Sequence, residues 1–161
     1  MATIQEDIIT FSNMIVKSFR ADKLLLDYTL TSFKDIDKFY DLHSRNGERV
    51  EGGRFSKNLG QILFALGAYI GQTIINVVPG TSWETDESDP EGEINASLKL
   101  PDGTTVWPMQ RTIKRFKNGE EDGIYVYGYH IIQGHVDIER LLEQEAKNRT
   151  KKPWWKLWQY L

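Results

Sequence analysis

Apolar residues at Ile4, Ile8, Phe11, Ile15 and Phe19 recur every three or four positions, which predicts a helix with one buried stripe. Thr3-Ile4-Gln5-Glu6 has the spacing of a capping box at its start. Leu24-Leu25-Leu26 is an apolar run too short for a helix and ends at Asp27-Tyr28, so a strand is expected there. Ser32 stands three residues before Asp35, and Phe33, Ile36, Tyr40 and His43 return to helical spacing. A second helix to about Leu42 follows, with His43 partly buried on its face. Ser44 to Gly53 has turn residues and no period, the pattern of a loop.

The next helix is expected to lie at the centre of the domain. Leu59, Ile62, Leu63, Leu66, Ile70, Ile74 and Val77 form a continuous stripe, while Gly60, Gly67, Ala68 and Gly71 occupy another side. Each glycine costs about 0.8–1.0 kcal/mol of helix propensity relative to alanine, so their presence points to close packing against a neighbour. The uncharged stretch from Leu59 to Val78 approaches membrane-spanning length, but Gln61, Gln72, Thr73 and Asn76 interrupt it. A buried helix of a soluble domain is the reading adopted. Pro79-Gly80 ends it.

Beyond that point the period changes. Ile94, Ala96, Leu98 and Leu100 alternate with polar residues as in a half-buried strand, Pro101-Asp102-Gly103 supplies a turn, and Thr105-Val106-Trp107 returns. Pro108 suits the first position of a helix carrying Met109, Ile113 and Phe116, which Asn118-Gly119 breaks. Gly123 to Ile132 reads two ways. Tyr125, Tyr127 and Tyr129 alternate as in a strand, whereas Glu120-Glu121-Asp122 suits a helix start, and the helix is preferred. Ile138, Leu141 and Leu142 predict a last helix to about Lys147. The expected architecture is a single α+β domain over residues 1–147, in which a central Gly-rich buried helix has several flanking helices and packs on a small antiparallel sheet including a 94–107 hairpin. Residues 148–161 form a basic Trp-rich tail.

Composition narrows the functional classes. The 161 residues include 20 Lys+Arg and 23 Asp+Glu, a net charge of −3, and no cysteine. Nucleic acid is therefore not an expected partner, and a disulfide scaffold, a thiolate zinc site and a cysteine nucleophile are excluded. Met1 to Asp7 lacks the basic and apolar regions of a signal peptide, so a cytoplasmic location is expected. No motif implies a cofactor or a metal. His130, His135 and Asp137 lie close in sequence, but their spacing fits no familiar metal motif. Arg111, Lys114, Arg115 and Lys117 crowd one helix without interleaved aromatic platforms. Gly52-Gly53-Arg54 before Ser56 is neither a phosphate-binding loop nor a dinucleotide fingerprint.

Two features suggest partner contacts. The segment from Glu84 to Glu93 holds Glu84, Asp86, Glu87 and Asp89, flanked by Trp83, and reads either as a solvated loop or as a mimic that occupies a basic site on another protein. Trp83 or Trp107 would then supply an aromatic anchor. The tail carries Trp154, Trp155 and Trp158 among lysines. It is read first as self-packing, then as a contact for a partner or a second copy, and last as a membrane contact.

The order Gly67-Ala68-Tyr69-Ile70-Gly71-Gln72, Trp83, Pro108 and Lys114-Arg115-Phe116-Lys117-Asn118-Gly119 resembles a group of small, functionally uncharacterised bacterial domains. The similarity spans roughly residues 24 to 132. Such domains tend to carry Glu where this chain has Gln72. Some similar acidic domains are suspected to be immunity or accessory proteins beside toxins. The resemblance thus implies a non-enzymatic bacterial binding protein, most simply an immunity-type inhibitor. A peripheral membrane or complex-assembly module acting through the tail, and a hydrolase whose site assembles only in the fold, are the alternatives.

Overall fold

A computed structural model of the chain describes residues 1–151; Trp154, Trp155 and Trp158 lie outside the described residues. Helix α1 (Ile4–Ala21) begins at the expected capping box, in which Glu6 N–H donates to Thr3 Oγ1 and Thr3 N–H to Glu6 Oε2. Its stripe is buried at Ile4, Ile8, Ile15 and Phe19. The strand expected at Leu24-Leu25-Leu26 is an irregular segment instead. Its backbone pairs with distant side chains rather than with another strand: Leu25 N–H donates to Asp35, Tyr28 N–H to the Tyr69 hydroxyl, and Leu30 and Thr31 N–H to Glu145. Left-handed turns at Lys23 and Tyr28 bracket it.

Helix α2 (Phe33–His43) starts where expected, but the Ser32 hydroxyl does not cap it. That hydroxyl donates to Thr29 O and shares a hydrogen bond with Tyr69. The expected loop after α2 contains a hairpin of β1 (Ser44–Arg45) and β2 (Glu48–Arg49). Asn46 and Gly47 both take positive φ, 46° and 89°, the arrangement a tight primed turn needs. A short 3-10 turn then buries Phe55 against Phe39, Tyr40 and Phe116.

Helix α3 (Leu59–Val77) is the central helix, with Leu63, Leu66, Ile70 and Ile74 in the core. It is long and apolar enough to cross a membrane, but it is packed against α1 and against helices that follow it in the chain, and its core-facing residues are buried there. Strand β3 (Ser82–Glu84) leads through the acidic segment and one helical turn, α4 (Gly92–Asn95), to β4 (Ser97–Lys99) and β5 (Thr105–Val106). The sheet order is β3-β4-β5, all antiparallel, with Trp83 opposite Leu98 and Leu98 opposite Val106. The predicted hairpin is present but shorter. The Asp89 carboxylate accepts Glu91 N–H and Asn95 Nδ2–H, winding 92–95 into a helical turn and leaving Ile94 exposed. Strand β3 escaped prediction because Trp83 is its one apolar residue.

Helix α5 (Pro108–Asn118) has Pro at its start as expected. Its Met109 backbone meets α3 at Gly67, where an added Cβ would lie 2.8 Å from Met109 Cα. Residues 124–133 form helix α6 (Ile124–Gln133), and α7 (Ile138–Lys151) runs past the expected end at Lys147. The α6 start is fixed by Asp37 of α2, whose carboxylate accepts the N–H groups of Ile124 and Tyr125. The architecture is α+β, as expected.

Gly71 shows what the glycines of α3 are for. A Cβ there would fall on the six-membered ring of Trp83, whose indole N–H donates to Gln72 Oε1 at 2.8 Å. Gly71→Ala is expected to destabilise by about 1–2 kcal/mol, since overpacking outweighs the gain in helix propensity. Urea unfolding and the Trp emission maximum together check it.

Candidate functional site

The acidic segment packs against the start of α1. Glu87 Oε1 accepts the Ile4 N–H at 2.9 Å, so a carboxylate from the segment satisfies a free donor of the α1 first turn. Gly92 fits against Ile4 and the Asp86 carbonyl with no room for a Cβ. Asp86 accepts both the hydroxyl and the N–H of Ser88, and these hydrogen bonds hold its carboxyl below the usual range. Asp89 is tied to Glu91 N–H and to Asn95. Three of the four carboxylates singled out from sequence therefore shape the segment as well as charging it. Glu84 is 3.9 Å from Lys99, with both side chains half exposed, a pairing of little energetic weight.

Between this segment and α1 lies an open groove of about 540 Å³. Asp7, Glu87, Asp89, Glu91 and Glu93 line it, along with Ile4, Ile94 and the N-terminal Met1, and no lysine or arginine among the described residues does. Asp7 is the contribution that sequence reading missed; it enters the groove only because Glu87 docks the segment on the α1 terminus. Ile94 is 43% exposed on the edge. Trp107, at the start of α5, is 45% exposed, and the same helix reaches α4 through a hydrogen bond from Gln110 to Asn95. Trp83 is half-buried, its ring against Gly71 and its N–H on Gln72. Of the two expected anchors, Trp107 is the exposed one.

The remaining sequence candidates are dispersed. Arg115 is buried, paired with Asp37 and Asp41, and Arg111 pairs with Asp122 at 2.7 Å. The basic helix is thus no continuous cationic surface, with Lys114 and Lys117 alone exposed among the four. Arg54 makes a two-pronged pair with Asp22, and its N–H donates to His43 Nδ1; burial pushes His43 below its ordinary pKa. Asp137 accepts the Arg140 N–H at the start of α7. His130 and His135 do share a cleft, formed by α6 and the β4–β5 turn, with Asp102 3.7 Å from His135. Among the described residues no group of three or more His, Cys, Asp or Glu side chains is placed to hold a metal. No protein-family model, curated protein or solved structure matches the chain.

Proposed function

We propose that this is a non-enzymatic, cytoplasmic bacterial binding protein of the immunity or accessory type, which holds a basic surface of another protein in its acidic groove. The observation that carries the reading is the groove itself: five carboxylates from two separate elements converge there against the single ammonium of Met1, on a segment whose shape is set by its own hydrogen bonds. A preorganised field of one sign raises association rates with an oppositely charged partner and loses little entropy on binding. Ile94 and Trp107 supply exposed apolar surface near the charge, the combination of anchor and polar rim found at protein interfaces.

The test uses Glu84, Glu91 and Glu93, whose carboxylates make no hydrogen bond within the described residues. The wild-type chain is expected to retain one stoichiometric basic protein from native-host lysate. Glu84→Gln, Glu91→Gln and Glu93→Gln combined should lower the association rate with that protein about tenfold at low salt and flatten its salt dependence. Equal rates for the two forms, or no retained protein, would overturn the reading.

A further inference from the structure

The last turn of α7 is held beside Tyr28. Arg149 Nε–H donates to Asp27 Oδ2 at 3.2 Å, and its Nη2–H groups donate to Asp27 Oδ1 at 3.1 Å and Thr29 Oγ1 at 3.3 Å. These partners flank Tyr28 in the chain, and Tyr28 lines an open groove of about 550 Å³ between α1 and α3. The groove shares no residue with the acidic one. The chain thus leaves α7 within a few residues' reach of it.

The chemistry of this groove is neutral. Ile9 and Asn13 come from α1 and Gln72, Ile75 and Asn76 from α3, with no acidic or basic side chain among the described residues that line it. Ile9 is 54% exposed and Ile75 is half-buried, so apolar surface there is open to contact. Each carboxamide is only partly used. Asn76 Nδ2–H donates to the Tyr28 carbonyl at 3.3 Å, Asn13 Oδ1 accepts the Tyr28 hydroxyl at 3.1 Å, and Gln72 Oε1 accepts the Trp83 indole. Asn76 Oδ1 is left as an acceptor, and the amide N–H groups of Asn13 and Gln72 as donors. Such a surface suits an occupant with an apolar body and neutral hydrogen-bonding tips.

The ten residues after Lys151 have that composition. They run Lys152-Pro153-Trp154-Trp155-Lys156-Leu157-Trp158-Gln159-Tyr160-Leu161, with no acidic residue. Indole N–H and phenol O–H groups take neutral partners when their rings are buried, and lysine stems can lie on apolar surface with the ammonium in water. Ten residues reach up to about 33 Å when extended. The groove occupies only about 6 Å, one helical turn, along each of α1 and α3. We propose that residues 153–161 of the same chain occupy the α1–α3 groove, with an indole between Ile9 and Ile75 donating to Asn76 Oδ1. Tethering favours this over the same segment of a second copy, because a short linker holds its end at about millimolar effective concentration.

The chain has no cysteine, so Gln159→Cys carries a single nitroxide label on the full-length protein. In the ¹⁵N-labelled form, amide signals of residues 9–13 and 72–76 should be the most strongly attenuated, equally so on dilution, and should recover when the nitroxide is reduced. Ile9→Glu, at an exposed position, places a charge in the groove and should restore those signals with the rest of the spectrum in place, whereas Ile9→Val should leave the attenuation unchanged. Strongest attenuation elsewhere on the fold, no attenuation, or attenuation that persists in Ile9→Glu would each overturn the proposal. Attenuation seen only when spin-labelled and ¹⁵N-labelled chains are mixed would also overturn it, assigning the groove to a second copy.

Discussion

Asp37→Ala is expected to cost about 3 kcal/mol of stability and to lower Tm by roughly 6–12 °C. The carboxylate has three jobs at once. Its Oδ1 accepts Arg115 Nε–H at 3.0 Å and Ile124 N–H at 2.9 Å, and its Oδ2 accepts Tyr125 N–H at 2.9 Å. The Arg115 side chain is only 4% exposed. Removing the Asp37 carboxylate leaves a buried guanidinium with Asp41 as its remaining carboxylate partner among the described residues, and breaking a buried pair costs roughly 3–5 kcal/mol. The figure sits at the low end because Asp41 and the Tyr40 ring face still attend Arg115. Two N–H groups at the α6 start also lose their acceptor, so hydrogen exchange should accelerate over residues 124–127. Asp41 is 53% exposed, and Asp41→Ala should cost under about 1 kcal/mol. Adding Arg115→Met to Asp37→Ala should recover part of the loss, because the uncompensated charge disappears with it. Equal destabilisation by the Asp37 and Asp41 substitutions would refute the assignment.

Asp37 also shows why some of the fold was legible in the sequence and some was not. Helices α1, α3 and α5 are visible because their period, caps and breakers lie in consecutive residues. The acidic approach Glu120-Glu121-Asp122 favours the helical form of α6 in the sequence, yet the group that caps it is Asp37, distant in sequence and on another helix. The Leu24–Leu26 segment misled for the same reason. Its apolar run is real, with Leu24 and Leu26 buried, but Asp35, Tyr69 and Glu145 satisfy the backbone around it, and none of these partners is readable from a local pattern. The β1–β2 hairpin was readable in principle, since Asn46-Gly47 is a strong turn signal. It lacked the alternating apolar flanks that give such a signal weight.

The candidate site divides along the same line. Glu84, Asp86, Glu87 and Asp89 stand out by composition. The groove depends on Asp7 and the α1 terminus, which only folding brings to them. The spacing of His130 and His135 fits no metal motif, and the structure places them in a cleft whose opposite wall is the hairpin. Sequence proximity identifies the charge; the packing of elements distant in sequence makes both the groove and the cleft.

Glu145→Ala is expected to cost about 2–3 kcal/mol and to free α7 from the domain. Glu145 lies in α7, beyond its apolar residues Ile138, Leu141 and Leu142, and is 5% exposed. Its carboxylate accepts the N–H of Leu30 and of Thr31 at 2.9 Å each, and the Thr31 hydroxyl at 2.6 Å. Hydrogen bonds to a charged group are worth about 1.5–3 kcal/mol, and an abandoned buried donor costs about 1–3 kcal/mol, with overlap between the two. The neighbouring pair of Arg149 with Asp27 at 3.1 Å is partly exposed and contributes less. Glu145→Gln should be nearly as harmful as alanine. Its amide NH₂ would confront an N–H donor where the carboxylate now offers an acceptor at both oxygens. Alanine at the exposed neighbour Glu143 should fall within about 0.5 kcal/mol of wild type. Hydrogen exchange separates detachment from general loosening: residues 138–151 should lose protection well before α3 does. Uniform loss of protection across both helices, or a Glu145→Gln variant as stable as wild type, would show that apolar contacts of Ile138, Leu141 and Leu142 hold α7 in place without the carboxylate.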